Sequence, residues 1–268
     1  MTENHLPAPV DLHYKVYGHT SGPTVIILHG LFGSLDNWHS FARKLSASTR
    51  VITVDLRNHG KSPHTDEFSI EAMQEDLRLL WQHLKLDKAI LIGHSLGGKV
   101  AMRFAASYPH SLSALVVVDI SPRQYPRGHD VYFDAMFSMP LDLDSRQAAD
   151  AWLTKTISSE SIRQFLLKSL DRTPEGFTWK FNLPALYNHY PEVVAPILFP
   201  VMVTVPTLFI RGDQSPYITR DDLTLIRETF STVEIVTIEN AGHWVHAESP
   251  VALLKALEAF LIQHHIEF

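Results

Sequence analysis

One serine lies between two glycines at the spacing that exposes a nucleophile. Ser95 is the central residue of Gly93-His94-Ser95-Leu96-Gly97, which has the form Gly-x-Ser-x-Gly. A strand that turns sharply into a helix at this pattern leaves the serine hydroxyl at the helix N-terminus, where backbone amides can stabilise an oxyanion. The pattern therefore predicts acyl transfer through Ser95. The alternative is a glycine-rich turn without chemistry.

Serine catalysis also needs a base for the hydroxyl and a carboxylate that orients this base. In proteins with this serine motif the order along the chain is serine, acid and then histidine. His243 follows the final apolar run and comes directly after a glycine, so it is the candidate base. His246 is the alternative base. Two carboxylates are candidates for the acid. Asp119 ends the apolar run that follows the helix after Ser95, and Asp213 comes just after the next apolar run along the chain.

The oxyanion of an acyl-transfer intermediate needs two hydrogen-bond donors. The first is expected to be the Leu96 N–H, directly after the nucleophile. The second is expected to be the Leu31 N–H, in the loop that begins with His29-Gly30. Glycines in this loop let the backbone curl, so that its amides can point into a cleft.

Short apolar runs alternate with helical patterns and would position these residues. The runs are 24–28, 51–54, 89–92, 115–118, 207–210 and 233–238, and residues 11–17 have the alternation of an antiparallel edge strand. A helix is predicted from Ser69, and others from about Arg220 and from Pro250. This order predicts an α/β fold with a mostly parallel, doubly wound sheet and a site at the carboxyl ends of its strands.

The alternation stops after Pro122 and resumes near residue 201. We expect residues 1–122 and 201–268 to form the core domain, and residues 123–200 to form a helical cap inserted after the strand that ends at Asp119. Helices are predicted over 147–157 and 161–170. Aromatic residues and methionines are frequent in the cap, where they either line a substrate pocket or pack as ordinary core. The predicted substrate-binding residues are Phe32, Tyr132, Phe133, Met136, Trp179, Tyr217 and Trp244.

The composition excludes several classes of function. The chain has 268 residues, a net charge of −6 and no cysteine, so nucleic acid is not an expected partner and catalysis by a cysteine thiolate is excluded. The sixteen histidines are scattered without a metal-ligand spacing, so no metal is predicted. No apolar run reaches the length of a membrane span, and Met1–Pro7 lacks the pattern of a secretion signal. A cytoplasmic protein is expected.

The motifs together resemble the α/β-hydrolase fold, and within it the small bacterial esterases of the YbfF type. The resemblance rests on the segments 29–34, 55–62, 93–98, 118–122, 215–217 and 241–244. It implies a serine esterase or acyl-thioesterase without a cofactor, with acyl-CoA thioesters among its substrates. The usual acid position of the fold, three residues after Gly212, holds Ser215 in this chain. A carboxylate shifted to Asp119 resembles the YbfF-type pattern, so Asp119 is preferred and Asp213 is the runner-up.

The predicted function is hydrolysis of carboxylic esters or acyl thioesters with short to medium acyl chains, through an acyl-Ser95 intermediate. An alternative is a C–C hydrolase or lyase that acts on a keto acid with the same triad, because a fold does not determine its chemistry. A non-catalytic ligand-binding protein is the least favoured alternative. For an acyl-CoA substrate, Lys61, Arg123 and Arg127 are predicted to bind the phosphates.

Overall fold

A seven-stranded sheet organises the protein in a computed structural model that describes residues 8–18 and 22–268. Its strand order is β1-β3-β2-β4-β5-β8-β9; β1 runs antiparallel to β3, and the other neighbours are parallel. Met1–Pro7, on which the prediction about a secretion signal rests, lies outside the described residues. The strands are β1 (Tyr14–Tyr17), β2 (Thr24–Leu28), β3 (Arg50–Val54), β4 (Ala89–His94), β5 (Leu112–Val118), β6 (Leu170–Thr173), β7 (Gly176–Trp179), β8 (Thr207–Gly212) and β9 (Val233–Ile238).

Helices cover both faces of this sheet. They are α1 (His39–Leu45), α2 (Ile70–His83), α3 (Leu96–Ser107), α4 (Asp130–Ser138), α5 (Arg146–Leu153), α6 (Glu160–Lys168), α7 (Leu183–Asn188), α8 (Tyr190–Val194), α9 (Asp222–Thr229), α10 (Val245–Glu248) and α11 (Pro250–Gln263), with 3₁₀ turns at Leu35–Trp38 and Pro109–Ser111. None of the helices in the described ranges combines the length and apolar character needed to cross a bilayer.

The sheet separates two apolar cores. Ile26 and Leu28 of β2 pack on the side of α2 and α3, whereas Val25 and Ile27 pack on the side of α1 and α11. These β2 side chains are fully buried, which is expected of a parallel strand covered on both faces. The uninterrupted apolar runs in the sequence follow from this burial.

The predicted edge strand and the predicted start of α2 agree with the structure. The edge strand is β1, which is shorter than the predicted 11–17. Ser69 precedes α2, and its hydroxyl accepts a hydrogen bond from the Ala72 N–H at 3.2 Å. This contact satisfies one of the free amides of the first turn, so the sequence pattern marks the helix start for a physical reason.

Residues 123–200 contribute no described strand to the large sheet. They contain α4 to α8 and the antiparallel hairpin β6–β7, which the sequence analysis did not predict. The helices predicted over 147–157 and 161–170 correspond to α5 and α6. The Ser169 hydroxyl donates to the Phe32 carbonyl at 2.6 Å, so this segment contacts the loop after β2. We propose that residues 123–200 form the cap.

Candidate active site

Ser95 lies at a sharp turn between β4 and α3. Its backbone angles are φ 52° and ψ −117°, which a residue with a side chain rarely adopts. A Cβ on Gly93 would collide with the Gly97 carbonyl, and a Cβ on Gly97 would lie 2.6 Å from the His29 carbonyl oxygen. The two glycines are therefore required by close backbone contacts, and the turn leaves Ser95 on the wall of a cavity.

His243 and Asp119 are in direct contact on the same side of the sheet. The His243 Nδ1 and the Asp119 Oδ2 are 2.7 Å apart, and the Asp119 side chain is fully buried. The carboxylate also accepts the Gly212 N–H on Oδ1 at 3.1 Å and the Ser215 hydroxyl on Oδ2. Three donors, from the end of β8, the loop after β8 and the His243 loop, thus fix its position.

The loop after β8 explains why Asp213 is not in contact with His243. The Asp213 Oδ1 accepts the Ala241 N–H at 3.2 Å, so this carboxylate braces the loop before His243 instead of the imidazole. Ser215 occupies the usual acid position and donates to Asp119. The geometry favours Asp119 over Asp213 as the partner of His243.

Two further contacts hold His243, one on its ring and one on its backbone carbonyl. Tyr217 stacks on it with ring centroids 3.9 Å apart and an angle of 19° between the rings. The His94 Nε2 donates to the His243 carbonyl at 2.8 Å. Burial, together with the nearby His243 and His246, holds the pKa of His94 well below its usual value, so His94 is a neutral support.

His246, the alternative base, has a different environment. Its ring stacks on Trp38 at a centroid distance of 4.2 Å. Burial, reinforced by the charges of His243 and Lys168, lowers the pKa of His246 to about 3. His246 is therefore a neutral residue of the wall, without a described carboxylate partner.

The two predicted oxyanion donors lie at the same cavity. Leu31 and Leu96 both line it, and neither backbone amide has a hydrogen-bond partner within the part of the chain that the structure describes. Leu96 is the first residue of α3, where no intrahelical acceptor exists. The Gly33 N–H donates to the Gly30 carbonyl at 3.0 Å, which closes the turn that carries Leu31.

The cavity measures about 540 Å³ and is mainly apolar. Of the predicted substrate-binding residues, it brings together Phe32, Tyr132, Tyr217 and Trp244. Several other wall residues were not predicted from the sequence, among them Lys99, Tyr125, His129, Ile162, Phe165, Tyr190 and Val193.

Three predicted pocket residues do not reach this cavity. Phe133 is fully buried between Phe32 and Tyr190, with ring centroids 5.0 and 5.3 Å away. Trp179 stacks on Phe181, and Met136 belongs to the same apolar core. The structure places these three residues in the apolar core rather than on the cavity wall, so it does not bring them together with the other predicted pocket residues.

Lys99 is a buried cation on the cavity wall. It follows Ser95 by one turn of α3, and its Nζ donates to the carbonyls of Val193 at 2.8 Å and Ala195 at 2.5 Å. Burial and the charge of Arg123 lower the pKa of Lys99 to about 7. Residues four apart in a helix lie on the same face, so the spacing between Ser95 and Lys99 is the sequence signal that predicts this position.

The cations predicted to bind phosphate are mostly engaged elsewhere. Arg123 lines the cavity but pairs with Asp222 at 2.8 Å, and Arg127 pairs with Asp130. Lys61 does not line the cavity. Residues 8–18 and 22–268 contain no group of three or more His, Asp or Glu side chains that could hold a metal ion.

Comparison with known proteins identifies the family. A sequence model described as the alpha/beta hydrolase fold matches residues 23–250. The chain belongs to the α/β-hydrolase fold family. This confirms the fold class and the resemblance predicted from the sequence, and the motif residues of this hydrolase all lie within the matched range.

Several relatives of this chain, and one similar solved structure, are named as esterases or lipases. The chain is 40% identical to the esterase YbfF of Escherichia coli, over 91% of this chain and 94% of that one. It is 38% identical to the sn-1-specific diacylglycerol lipase ABHD11 of Danio rerio, over 95% of this chain and 83% of the lipase. A solved structure of a marine microorganism esterase has a TM-score of 0.91 and 37% identity, covering 94% of this chain and all of that one.

Proposed function

We propose that this hydrolase cleaves carboxylic esters and acyl thioesters through an acyl-Ser95 intermediate. The observation that carries the proposal is the 2.7 Å contact between His243 and the buried Asp119, beside a cavity that also exposes Ser95. A base that is oriented by a carboxylate and shares a cavity with a strained serine is the arrangement that acyl transfer requires.

The reaction begins with attack of the Ser95 hydroxyl on the acyl carbon while the His243 Nε2 takes its proton. The N–H groups of Leu31 and Leu96 stabilise the negative oxygen of the tetrahedral intermediate. The intermediate collapses when the bond to the alcohol or thiol breaks and His243 gives the leaving group its proton. Water then repeats the sequence on the acyl-enzyme and regenerates Ser95. Asp119 stabilises the His243 imidazolium that forms during acylation and again during deacylation.

The acyl group is proposed to be short to medium in length. A cavity of about 540 Å³ with a mainly apolar wall suits an apolar acyl chain, and the volume limits its length. The esterase and lipase names of the relatives support an oxygen ester as substrate. The cleavage of thioesters follows from the same chemistry, because a thiolate is also expelled from a tetrahedral intermediate.

The decisive test compares Ser95→Ala with a matched control. Ser113→Ala removes a serine hydroxyl near the amino end of β5, whereas Asp119 follows the carboxyl end of the same strand. With p-nitrophenyl esters of graded chain length, Ser95→Ala should lower kcat by about 10⁴-fold or more, whereas the control should keep its rate. A fluorophosphonate probe should label the wild-type protein and the control but not Ser95→Ala. A wild-type protein that neither cleaves esters nor takes up the probe would contradict the proposal.

A further inference from the structure

A second cavity, of about 590 Å³, adjoins the candidate active site. On one side it is lined by the 3₁₀ turn at Leu35–Trp38 and by α1. On the other side it is lined by the start of α5, the end of α6 and the residue after β7. Asn37 and His246 line both cavities, so the two spaces share a wall. We call it the cationic cleft; its lining is Ser34, Asp36, Asn37, Ser40, Phe41, Lys44, Arg146, Lys168, Lys180, His246, Ala247 and Pro250.

Positive charge is concentrated in the cationic cleft. Four of its residues are cations, Lys44, Arg146, Lys168 and Lys180, against the single carboxylate of Asp36. The whole chain has a net charge of −6, so the cleft has the opposite sign to the protein.

Ion pairs leave three of these four cations without a carboxylate partner in the described ranges. Lys180 has a carboxylate neighbour, Asp171, at 3.3 Å, on the exposed surface. In the described ranges no carboxylate oxygen lies within 4 Å of the charged nitrogens of Lys44, Arg146 or Lys168. Both terminal nitrogens of Arg146 donate to backbone carbonyls, those of Leu167 and Leu170, so Lys44 and Lys168 are the main candidates to contact a ligand.

The shared wall contains an unsatisfied polar atom. Only 7% of His246 is exposed, and its Nδ1 has no hydrogen-bond partner among the described residues. A buried nitrogen without a partner is costly, so a ligand or a water molecule that supplied one would stabilise this wall.

We propose that the cationic cleft binds a phosphate-bearing leaving group of the substrate while the acyl group occupies the cavity at Ser95. The inference rests on the proposed acyl-Ser95 chemistry, because His243 and the cleft residues His246, Ala247 and Pro250 belong to one segment of the chain. His243 protonates the leaving group, so the leaving group must pass beside this segment. A phosphate carries about two negative charges at neutral pH and accepts several hydrogen bonds, which matches a cluster of lysines and an arginine.

The cleft also replaces the earlier candidates for phosphate binding. Arg123 and Arg127 are paired with the carboxylates of Asp222 and Asp130. A phosphate would have to displace these partners, whereas Lys44 and Lys168 have no described carboxylate to displace. The cleft is therefore the better anion site.

The test uses two pairs of substrates, and in each pair one member carries phosphate and the other does not. The first pair is butyryl-CoA and S-butyryl-N-acetylcysteamine, which share the thioester. The second pair is 1-butyrylglycerol 3-phosphate and 1-butyrylglycerol, which share the oxygen ester. The variant is Lys44→Gln/Lys168→Gln, whose two side chains are exposed. The control, Lys88→Gln/Lys255→Gln, removes the same charge from exposed positions outside the cleft.

In at least one pair, the variant should raise KM for the phosphate-bearing member about tenfold, as expected for the loss of two partly screened ionic contacts. Its neutral partner and the control variant should change by less than about twofold. Raising the salt concentration should reduce the wild-type preference for phosphate and leave the variant unchanged. The pair that responds distinguishes a nucleotide-type thiol carrier from a phosphoglyceride.

If neither pair distinguishes the variant from the control, the cleft is not a phosphate site. Ester cleavage that depends on Ser95 would still stand in that case. If instead the neutral substrates are cleaved equally by Ser95→Ala, the proposed function itself fails. The two failures are therefore separate results.

Discussion

Replacing Asp119 by asparagine changes one atom of the candidate site and has a consequence that the hydrogen bonds define. The Asp119 Oδ1 accepts from the Gly212 N–H, and Oδ2 accepts from both Ser215 and His243. An amide nitrogen cannot accept a hydrogen bond. If this nitrogen faces Gly212, its N–H groups and the Gly212 N–H are both donors and repel each other. If it faces His243, the imidazole must present an unprotonated Nδ1 and keep its proton on Nε2.

A proton on the His243 Nε2 prevents this nitrogen from taking the proton of Ser95. We therefore expect Asp119→Asn to lower kcat by about 10²–10⁴-fold, which corresponds to about 3–5 kcal/mol of transition-state stabilisation. KM should change little, because Asp119 does not line the cavity. The measurement is steady-state hydrolysis of p-nitrophenyl butyrate, with thermal unfolding to show that the variant is folded.

Asp213→Asn is the matched control, since it makes the same chemical change one strand away. The Asp213 carboxylate contacts the Ala241 N–H, so its loss should lower kcat by less than about tenfold. Adding Ser215→Asp to Asp119→Asn should restore part of the rate, because residue 215 already contacts the carboxylate that orients His243. An active Asp119→Asn enzyme together with an inactive Asp213→Asn enzyme would refute the assignment.

Three further predictions concern the base, a buried cation and the turn. In the same ester assay, His243→Gln should lose activity by about 10³-fold or more, whereas His246→Gln should lose less than about tenfold; the reverse order would exchange their roles. Because the pKa of Lys99 is lowered from 10.5 to about 7, the unfolded state binds more protons above pH 7 and stability rises with pH. Urea unfolding should show a Lys99-dependent gain of about 2 kcal/mol between about pH 7 and pH 9, which Lys99→Met should abolish; an equal gain in the variant would refute the pKa. Gly93→Ala should prevent soluble expression or lower the melting temperature by about 5 °C or more, because its Cβ would collide with the Gly97 carbonyl, and a native melting temperature would contradict this.

Local sequence patterns predicted the sheet and the placement of the candidate nucleophile. A fully buried strand must be apolar along its whole length, and a sharp turn at Ser95 needs glycine on both sides. Such requirements act over a few residues, so they can be identified without a structure. The strand order then brings the ends of β4 and β5 to one edge of the sheet.

The walls of the cavity were harder to predict, because a single aromatic residue in the cap has two possible uses. Tyr132 and Phe133 are adjacent, yet Tyr132 lines the cavity and Phe133 fills the core of the cap. Consecutive residues of a helix point about 100° apart, and hydrophobicity does not distinguish the two directions. Only the packing of α4 on the rest of the chain makes the difference, and no short pattern encodes this packing.

Ser215 was seen in the sequence only as a missing carboxylate, and the structure gives this residue a positive contribution. Strands β5 and β8 pair with Val118 opposite Ile210, so Asp119 and the loop after Gly212 meet at one point although they are distant in sequence. A carboxylate on either strand can therefore reach the same imidazole. With Asp119 in place, an aspartate at 215 would bring two negative charges together, whereas the serine hydroxyl donates to Asp119 and helps to hold it. The serine at 215 and the aspartate at 119 are best understood as one paired solution, since each fits the candidate site only in the presence of the other.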